Sequence, residues 1–340
     1  SNGLSVVYSE IMSFDGCEMY FAGSTDSVEN QGSAWEESRF GEMQYHFPDG
    51  ILMGIRRTDD ELLINPSPDT LVQPDDDILI LADDDSTIQY LPESVAPHRD
   101  LNPVIERSEI QVERELIIGW NPKTELIIRE FNDYVREGSQ IDILVPLADE
   151  ESPSEKRERQ KWREKVAQME TNLSNLTIKL HEKDLMSSQA YDDLDLSVYN
   201  NVLVLSQGGE GSDSEATDSE TIIIILMLRN RLAELSPDQP RPKLITEVMD
   251  SKNRDLVAEV GVNDFIISNQ QISMLIAQIS EAPDILRVYD QIFSEDGSEI
   301  YIKSVELYFS EFPQTVTYAD LIAVTQNRGE TCLGIKLNQH

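Results

Sequence analysis

Cysteine and histidine are scarce in this chain of 340 residues, which carries two of the first and four of the second. Cys17 and Cys332 stand far apart in a chain large enough to fold without staples, so reduced thiols in a cytosolic compartment are expected rather than a disulfide. His46, His98, His181 and His340 have no Cys or His partner at zinc-ligand spacing, which leaves zinc chemistry without support. Basic residues are also few: 27 Lys and Arg face 64 Asp and Glu, a formal charge of -37. Such a balance repels nucleic-acid phosphates and anionic membrane leaflets, so neither is an expected partner. Long apolar runs are missing too. The longest, Ile222 to Leu228, falls far below the ~18 residues that mark a membrane-crossing helix. The start at Ser1-Asn2-Gly3 has no basic or apolar leader region and suits a boundary inside a longer protein.

The acidic excess has two readings, carboxylate clusters that hold divalent cations or a solvated surface. The length implies two or three folded units. From Leu4 to about Tyr90 short strands and turns are expected. Leu52 to Arg57, the polar turn Thr58-Asp59-Asp60 and Glu61 to Pro66 read as a hairpin, and Ile78 to Ala82 as a buried strand ended by Asp83-Asp84-Asp85. Pro97 and Pro103 mark a linker over residues 92–113.

Strand and helix then alternate. The strand Glu115 to Gly119 leads through Asn121-Pro122 into a helix from Thr124 to Arg136, stopped by Gly138. Strands at 141–145, 176–180, 201–206, 244–248 and 264–268 alternate with helical stretches at 154–170, 188–194, 219–235 and 253–258. This order predicts a parallel, doubly wound, Rossmann-like sheet. Thr221 to Leu228 reads as helix, capped by Asp218 and Ser219, and its all-round apolarity requires burial in the core or against another subunit. Gln270 to Ser280 and Pro283 to Phe293 read as a helix hairpin. An internal repeat follows: Glu18-Met19-Tyr20-Phe21 leads to Leu52-Met53-Gly54-Ile55-Arg56, and Glu306-Leu307-Tyr308-Phe309 to Cys332-Leu333-Gly334-Ile335-Lys336, which predicts a second, partial copy of the first module.

Small module, Rossmann-like domain, helix hairpin and small module is an order that resembles tandem RCK (regulator of potassium conductance) domains, and most closely those of the Castor/Pollux ion-channel family. The resemblance is carried by Ile118-Gly119-Trp120, by Asp218-Ser219-Glu220-Thr221 leading to Leu228-Arg229, by Glu247-Val248-Met249-Asp250-Ser251-Lys252-Asn253-Arg254, and by Phe265 to Asn269 with Ser273-Met274. Leu63 to Pro66 and Asp76 to Asp84 add the end of a first lobe. The resemblance implies α/β architecture, a Rossmann-like sheet flanked by small α+β lobes. Residues 1–91 would be the C-terminal lobe of a first RCK unit, 114–269 the Rossmann-like lobe of a second, 270–296 its helix crossover and 297–340 part of its C-terminal lobe. It further implies a cytoplasmic gating ring, joined in the full-length chain to a membrane pore for potassium or another cation, that self-associates as a dimer or larger ring and answers an ion or small ligand. A TrkA-type transporter subunit and an NAD-dependent oxidoreductase are the rival readings.

Aligned from Gly119, the dinucleotide fingerprint lacks its second and third glycines, replaced by Asn121 and Thr124, and Pro122 removes a backbone N–H. NAD or ATP is therefore not expected at the degenerate turn Gly119, Trp120 and Asn121, and no catalytic constellation stands out. Ca²⁺ is the expected cation if there is one, with Asp213, Glu215 and Asp218 beyond a strand end as first candidates and Asp83 and Asp85 as second. Subunit contact is expected through Ile222, Ile225, Leu226, Ile272, Leu275, Ile276 and Ile279.

Overall fold

The structure is a computed structural model that describes residues 3–14, 16–23, 38–95, 97, 112–147, 152–207, 213–260, 262, 264–294, 297–309 and 315–337. Most of the linker expected over 92–113, and residues 208–212 of the expected acidic loop, lie outside these residues. In chain order come α1 (Leu4–Met12), β1 (Glu18–Gly23), α2 (Phe40–Met43), β2 (Gly50–Arg56), β3 (Leu62–Ile64) and β4 (Asp77–Ala82). Then follow β5 (Arg114–Ile118), α3 (Thr124–Tyr134), β6 (Ser139–Pro146), α4 (Pro153–Glu170), β7 (Leu176–Lys183), β8 (Asn201–Val204) and α5 (Ser214–Glu234). The last are β9 (Lys243–Val248), α6 (Arg254–Val260), β10 (Asp264–Ile267), α7 (Ser268–Glu281), α8 (Ile285–Ile292) and α9 (Tyr318–Gln326). Beyond its first five residues the chain divides into two compact units, one of Val6–Ser108 with Met274–His340 and one of Glu109–Ser273.

The first unit is built on an antiparallel sheet of order β1-β4-β2-β3. Its apolar run in β4 is buried on both faces, because alternate side chains point opposite ways. Ile78, Ile80 and Ala82 join Phe40, Met43 and Leu52 on one side, while Leu79 and Leu81 meet Ile11, Met12, Tyr289 and Ile292 on the other. The expected hairpin is present: Arg57 N donates to Glu61 O at 2.8 Å, and Asp60 takes the positive φ of 72° that the turn requires. α1 stands where short strands and turns were expected. The reason is tertiary: Val7, Tyr8, Ile11 and Met12, three to four residues apart, form one helical stripe against the second face of the sheet.

β2 carries a bulge between Leu52 and Gly54, which lets both Leu52 and Ile55 face the same cluster. A Cβ on Gly54 would lie 2.4 Å from the Leu63 carbonyl oxygen, so the residue admits no side chain without moving β3. Gly54→Ala is expected to cost about 1–3 kcal/mol in urea unfolding, the range of overpacked sites.

The later residues of this unit bind the same sheet. Gln291 Nε2 donates to Leu62 O at 3.1 Å and Ser298 Oγ to Ile64 O at 3.0 Å, which caps the edge carbonyls of β3. At the end of α9, Gln326 Nε2 donates to Gly41 O at 2.8 Å and Gln44 Oε1 at 2.6 Å, and Thr331 Oγ1 donates to Asn65 Oδ1 at 2.8 Å. The described part of 297–340 holds α9 and one 3₁₀ turn at Val305–Leu307 but no strand, so the second copy of the repeat does not form the strand expected at Cys332 to Lys336. In the first copy the matching strand β2 pairs with β3 and β4.

The second unit is the doubly wound α/β fold expected: six parallel strands in the order β10-β9-β8-β5-β6-β7. α3 and α4 cover one face over Ile117, Ile141 and Ile143, and α5 covers the other over Leu116, Ile118 and Val204. Gly138 ends the α3 segment at φ +97°. The order reverses between β5 and β8, the switch point of such a sheet.

Two carboxyl groups lie inside this sheet on opposite faces. Asp142 receives Tyr199 OH at 2.9 Å and Gln140 Nε2 at 2.8 Å, with His181 Nε2 at 3.2 Å and Arg114 at 3.3 Å. Burial would raise its pKa, but these donors outweigh burial and hold it below the usual carboxylate range. Glu115 has only Asn201 Nδ2 at 3.0 Å, and its other oxygen has no partner among the described residues. Burial, with Glu113 nearby, pushes it up to about 8, against the opposing effects of Asn201 and Lys243.

Candidate functional site

Ligands of doubly wound sheets sit at the carboxyl ends of the strands, next to the reversal of strand order. Here that place is the turn from Gly119 to Thr124, joined by the ends of β8 and β9. Gly119 has φ +96°, and a Cβ on it would lie 2.8 Å from Leu205 O and 3.3 Å from Gln207 Cγ. The Gln207 side chain thus lies against the glycine. Asn121, the residue at the missing second glycine, is buried and acts as a clasp. Its Nδ2 donates to Ser206 O at 2.9 Å and Glu247 Oε2 at 3.1 Å, and Lys123 Nζ pairs with the other oxygen of Glu247.

Three amides of the turn are already engaged. Asn121 N donates to Thr124 Oγ1 at 3.0 Å, Lys123 N to Asn121 Oδ1 at 2.9 Å and Thr124 N to Asn121 O at 3.1 Å. Trp120 is partly buried and stacks obliquely near Trp162, 6.4 Å between ring centroids. A phosphate would have to break these bonds and meet Glu247. Calorimetry with NAD or ATP is expected to give no saturable heat, and Gly119→Ala to cost about 1–3 kcal/mol of stability from its positive φ without changing that result.

The acidic candidates do not converge. Asp213 is the N-cap of α5, its carboxylate accepting from Glu215 N at 3.1 Å, and Glu215 is exposed in the first turn. The helix therefore begins before Ser219, and Asp218 is not its cap. Asp218 is turned inward and 1% exposed, and it accepts from Met249 N at 2.8 Å, Asp250 N at 2.9 Å and Asn253 Nδ2 at 2.7 Å. Asp83 and Asp85 are exposed at the end of β4, and Asp84 between them caps a 3₁₀ turn through Ser86 N at 2.9 Å. Among the described residues no three His, Cys, Asp or Glu side chains are grouped to hold a metal.

The apolar candidates separate by face. Ile225 is fully buried beneath α5, Ile222 packs half-buried on the same core, and Leu226 is 44% exposed beside Ile223 at 41%, a residue the sequence reading passed over. On α7, Ile272 and Ile276 are 53% and 60% exposed, Leu275 packs into the first unit's core and Ile279 is half-buried. Glu247, Lys123 and Gln207 were also passed over, since only the fold brings them to the turn. The one local signal was Asn at a glycine position, a residue able to hydrogen-bond its own backbone.

Residues 1–97 match a family described as Castor and Pollux, part of voltage-gated ion channel. A probable ion channel POLLUX of Oryza sativa subsp. japonica is 25% identical over 368 residues, and the ion channel DMI1 of Medicago truncatula is 24% identical over 366. Both alignments cover 98% of this chain but only 36% and 39% of the relatives, so the chain spans somewhat more than a third of their length. The gating ring of human SLO3 is similar in fold, with a TM-score of 0.52, 12% identity and coverage of 84% of this chain and 54% of that one. The resemblance to Castor/Pollux channels read from the sequence is borne out along nearly the whole chain. No described helix is long and apolar enough to cross a membrane.

Proposed function

We propose that this chain is the regulatory, gating-ring-like part of an ion-channel polypeptide, which lies on the cytoplasmic side, senses an ion or small ligand and passes the change to a pore in the same full-length chain. The observation that carries this reading is the similarity to ion channels over 98% of the chain. The closed nucleotide turn speaks against a nicotinamide-dependent enzyme, because amides of that turn are engaged by Asn121 and Thr124, and Asn121 stands where the second glycine would admit the pyrophosphate. In this reading the chain is not catalytic. Self-association is part of the proposal, through the outer face of α5, where Ile223 and Leu226 offer apolar surface on a helix whose other face is already packed.

The test is sedimentation of the isolated chain against Ile223→Asp with Leu226→Asp. The unaltered chain is expected to associate, and the double variant to sediment as a monomer with unchanged circular dichroism. A monomeric unaltered chain at high concentration would remove this face from the proposal. Ca²⁺ remains the proposed metal effector. With Asp218 committed to amides, Asp213 and Glu215 would be its ligands, and Asp213→Asn with Glu215→Gln is the control for any heat in a Ca²⁺ titration.

A further inference from the structure

Beside the closed turn, the second unit has a cavity of about 450 Å³ at the carboxyl ends of β6 and β7, bounded on one side by α5. Its volume is within the range of small-molecule sites. Leu147, Leu185, Met186 and Ile224 supply apolar wall, and Gln207, whose other contact is with Gly119, separates it from the degenerate turn. The charged lining is one-sided. Glu155, Asp184 and Glu220 face a single cation, Lys183, and Lys183 Nζ already lies 3.6 Å from Asp193, which is not part of the lining. Glu220 is exposed on α5 and has no hydrogen-bond or ion-pair partner among the described residues.

This lining selects among ligand classes. A phosphate or carboxylate ligand meets three carboxylates and one neutralised ammonium, so anions are repelled. A bare metal ion finds no group of three ligating side chains among the described residues, and the apolar wall gives it nothing. A molecule that joins a positive head to an apolar body can use both halves of the lining.

We propose that this cavity binds a small organic cation, a primary ammonium or guanidinium carried on an apolar body, and that its occupation is transmitted to α5. The head group sits at Glu220 with Asp184 or Glu155, and the body lies against Leu147, Met186 and Ile224. Glu220 lies three residues from Ile223 and Ile224 two from Leu226 on the same helix, so a ligand held at Glu220 and Ile224 bears directly on the helix that carries the outer apolar face. Transmission rests on the regulatory reading above; binding does not.

The experiment uses the full 340-residue chain at constant ionic strength, with n-hexylamine, 1-hexanol and hexanoate as probes in calorimetry. The amine alone is expected to bind saturably at one site. Glu220→Gln should weaken it roughly tenfold, the loss of one charge-assisted contact. Met186→Trp, at an exposed position, should abolish binding by filling the mouth, and Asp290→Asn, an exposed acid on α8, should change nothing. Equal binding of hexanoate, amine binding indifferent to Glu220→Gln and Met186→Trp, or no heat up to about 10 mM amine, weaker than any small-molecule site of use, each overturns the site. Sedimentation with and without amine then tests transmission. A shift in association supports it; saturable binding with association unchanged overturns transmission and leaves the site standing.

Discussion

Asp218→Ala is expected to destabilise the second unit by about 3–5 kcal/mol, the cost of removing one member of a buried, charge-assisted network. The carboxylate is 1% exposed and accepts two backbone amides and one side-chain amide from the segment that follows β9. Alanine leaves Met249 N and Asp250 N without the carboxylate that accepts them, and it releases the segment before α6 from α5. Asparagine is expected to recover only part of the loss, because its amide nitrogen must oppose one of the three donors. Urea unfolding gives the total. Hydrogen exchange gives the cause: protection at the Met249 and Asp250 amides should fall far more than protection in β5. Exchange unchanged at those two amides would show that the network is not what holds the segment.

Glu115→Gln should have a large effect of the opposite sign, and one that depends on pH. In the unfolded chain Glu115 titrates near its ordinary 4.5, and in the folded chain near 8. Between these values the folded state holds a proton that the unfolded state has lost, so this residue's contribution is full below about 4.5, falls as pH rises toward 8 and is level beyond. The groups around it are Asn201 on β8, Lys243 on β9 and Glu113 at the start of β5. Glutamine keeps the acceptor for Asn201 and carries no charge. The difference in stability between variant and unaltered chain should be small at pH 4.5 and grow to as much as about 5 kcal/mol at pH 8, from ~1.4 kcal/mol per unit of pKa. A difference that stays flat over this range would show that Glu115 is charged in the folded protein, or that water reaches it.

The doubly wound sheet was legible because its signals are local. Runs such as Ile141 to Val145, and breaks such as Gly138 after α3, specify strand and helix from neighbours within a few residues. The closed turn was legible in part, since the missing glycines put side chains at Asn121 and Thr124, but nothing local told that Gln207 lies against Gly119. α5 was recognised as helix while its start was misplaced. Asp213 and Asp218 are both good capping residues, and only the amides after β9, more than thirty positions away, decide that Asp218 turns inward. Ile225 was named for a subunit face for a similar reason: in Ile222-Ile223-Ile224-Ile225 every position is apolar, so the pattern does not tell which side the sheet takes. The first unit was harder still, because α1 is a helix on account of α8 and the sheet it covers, and no window of sequence contains both.

The connectivity of the two units has a consequence for the order in which they are made. Residues Glu109–Ser273 form a unit interrupting the other, whose two stretches are Val6–Ser108 and Met274–His340. During synthesis the interrupting unit is finished first, since all its strand pairings lie within Glu109–Ser273. The interrupted unit must wait. Ile11 O has its hydrogen-bond donors, Gln278 and Tyr289, more than 260 residues downstream, and until they emerge the face of β4 that α1 shares with α8 is only partly covered and open to wrong association. Its assembly carries the high contact order that slows folding. A ribosome stalled just past Ser273 should therefore display a protease-resistant core from the interrupting unit, while residues 6–108 are still digested.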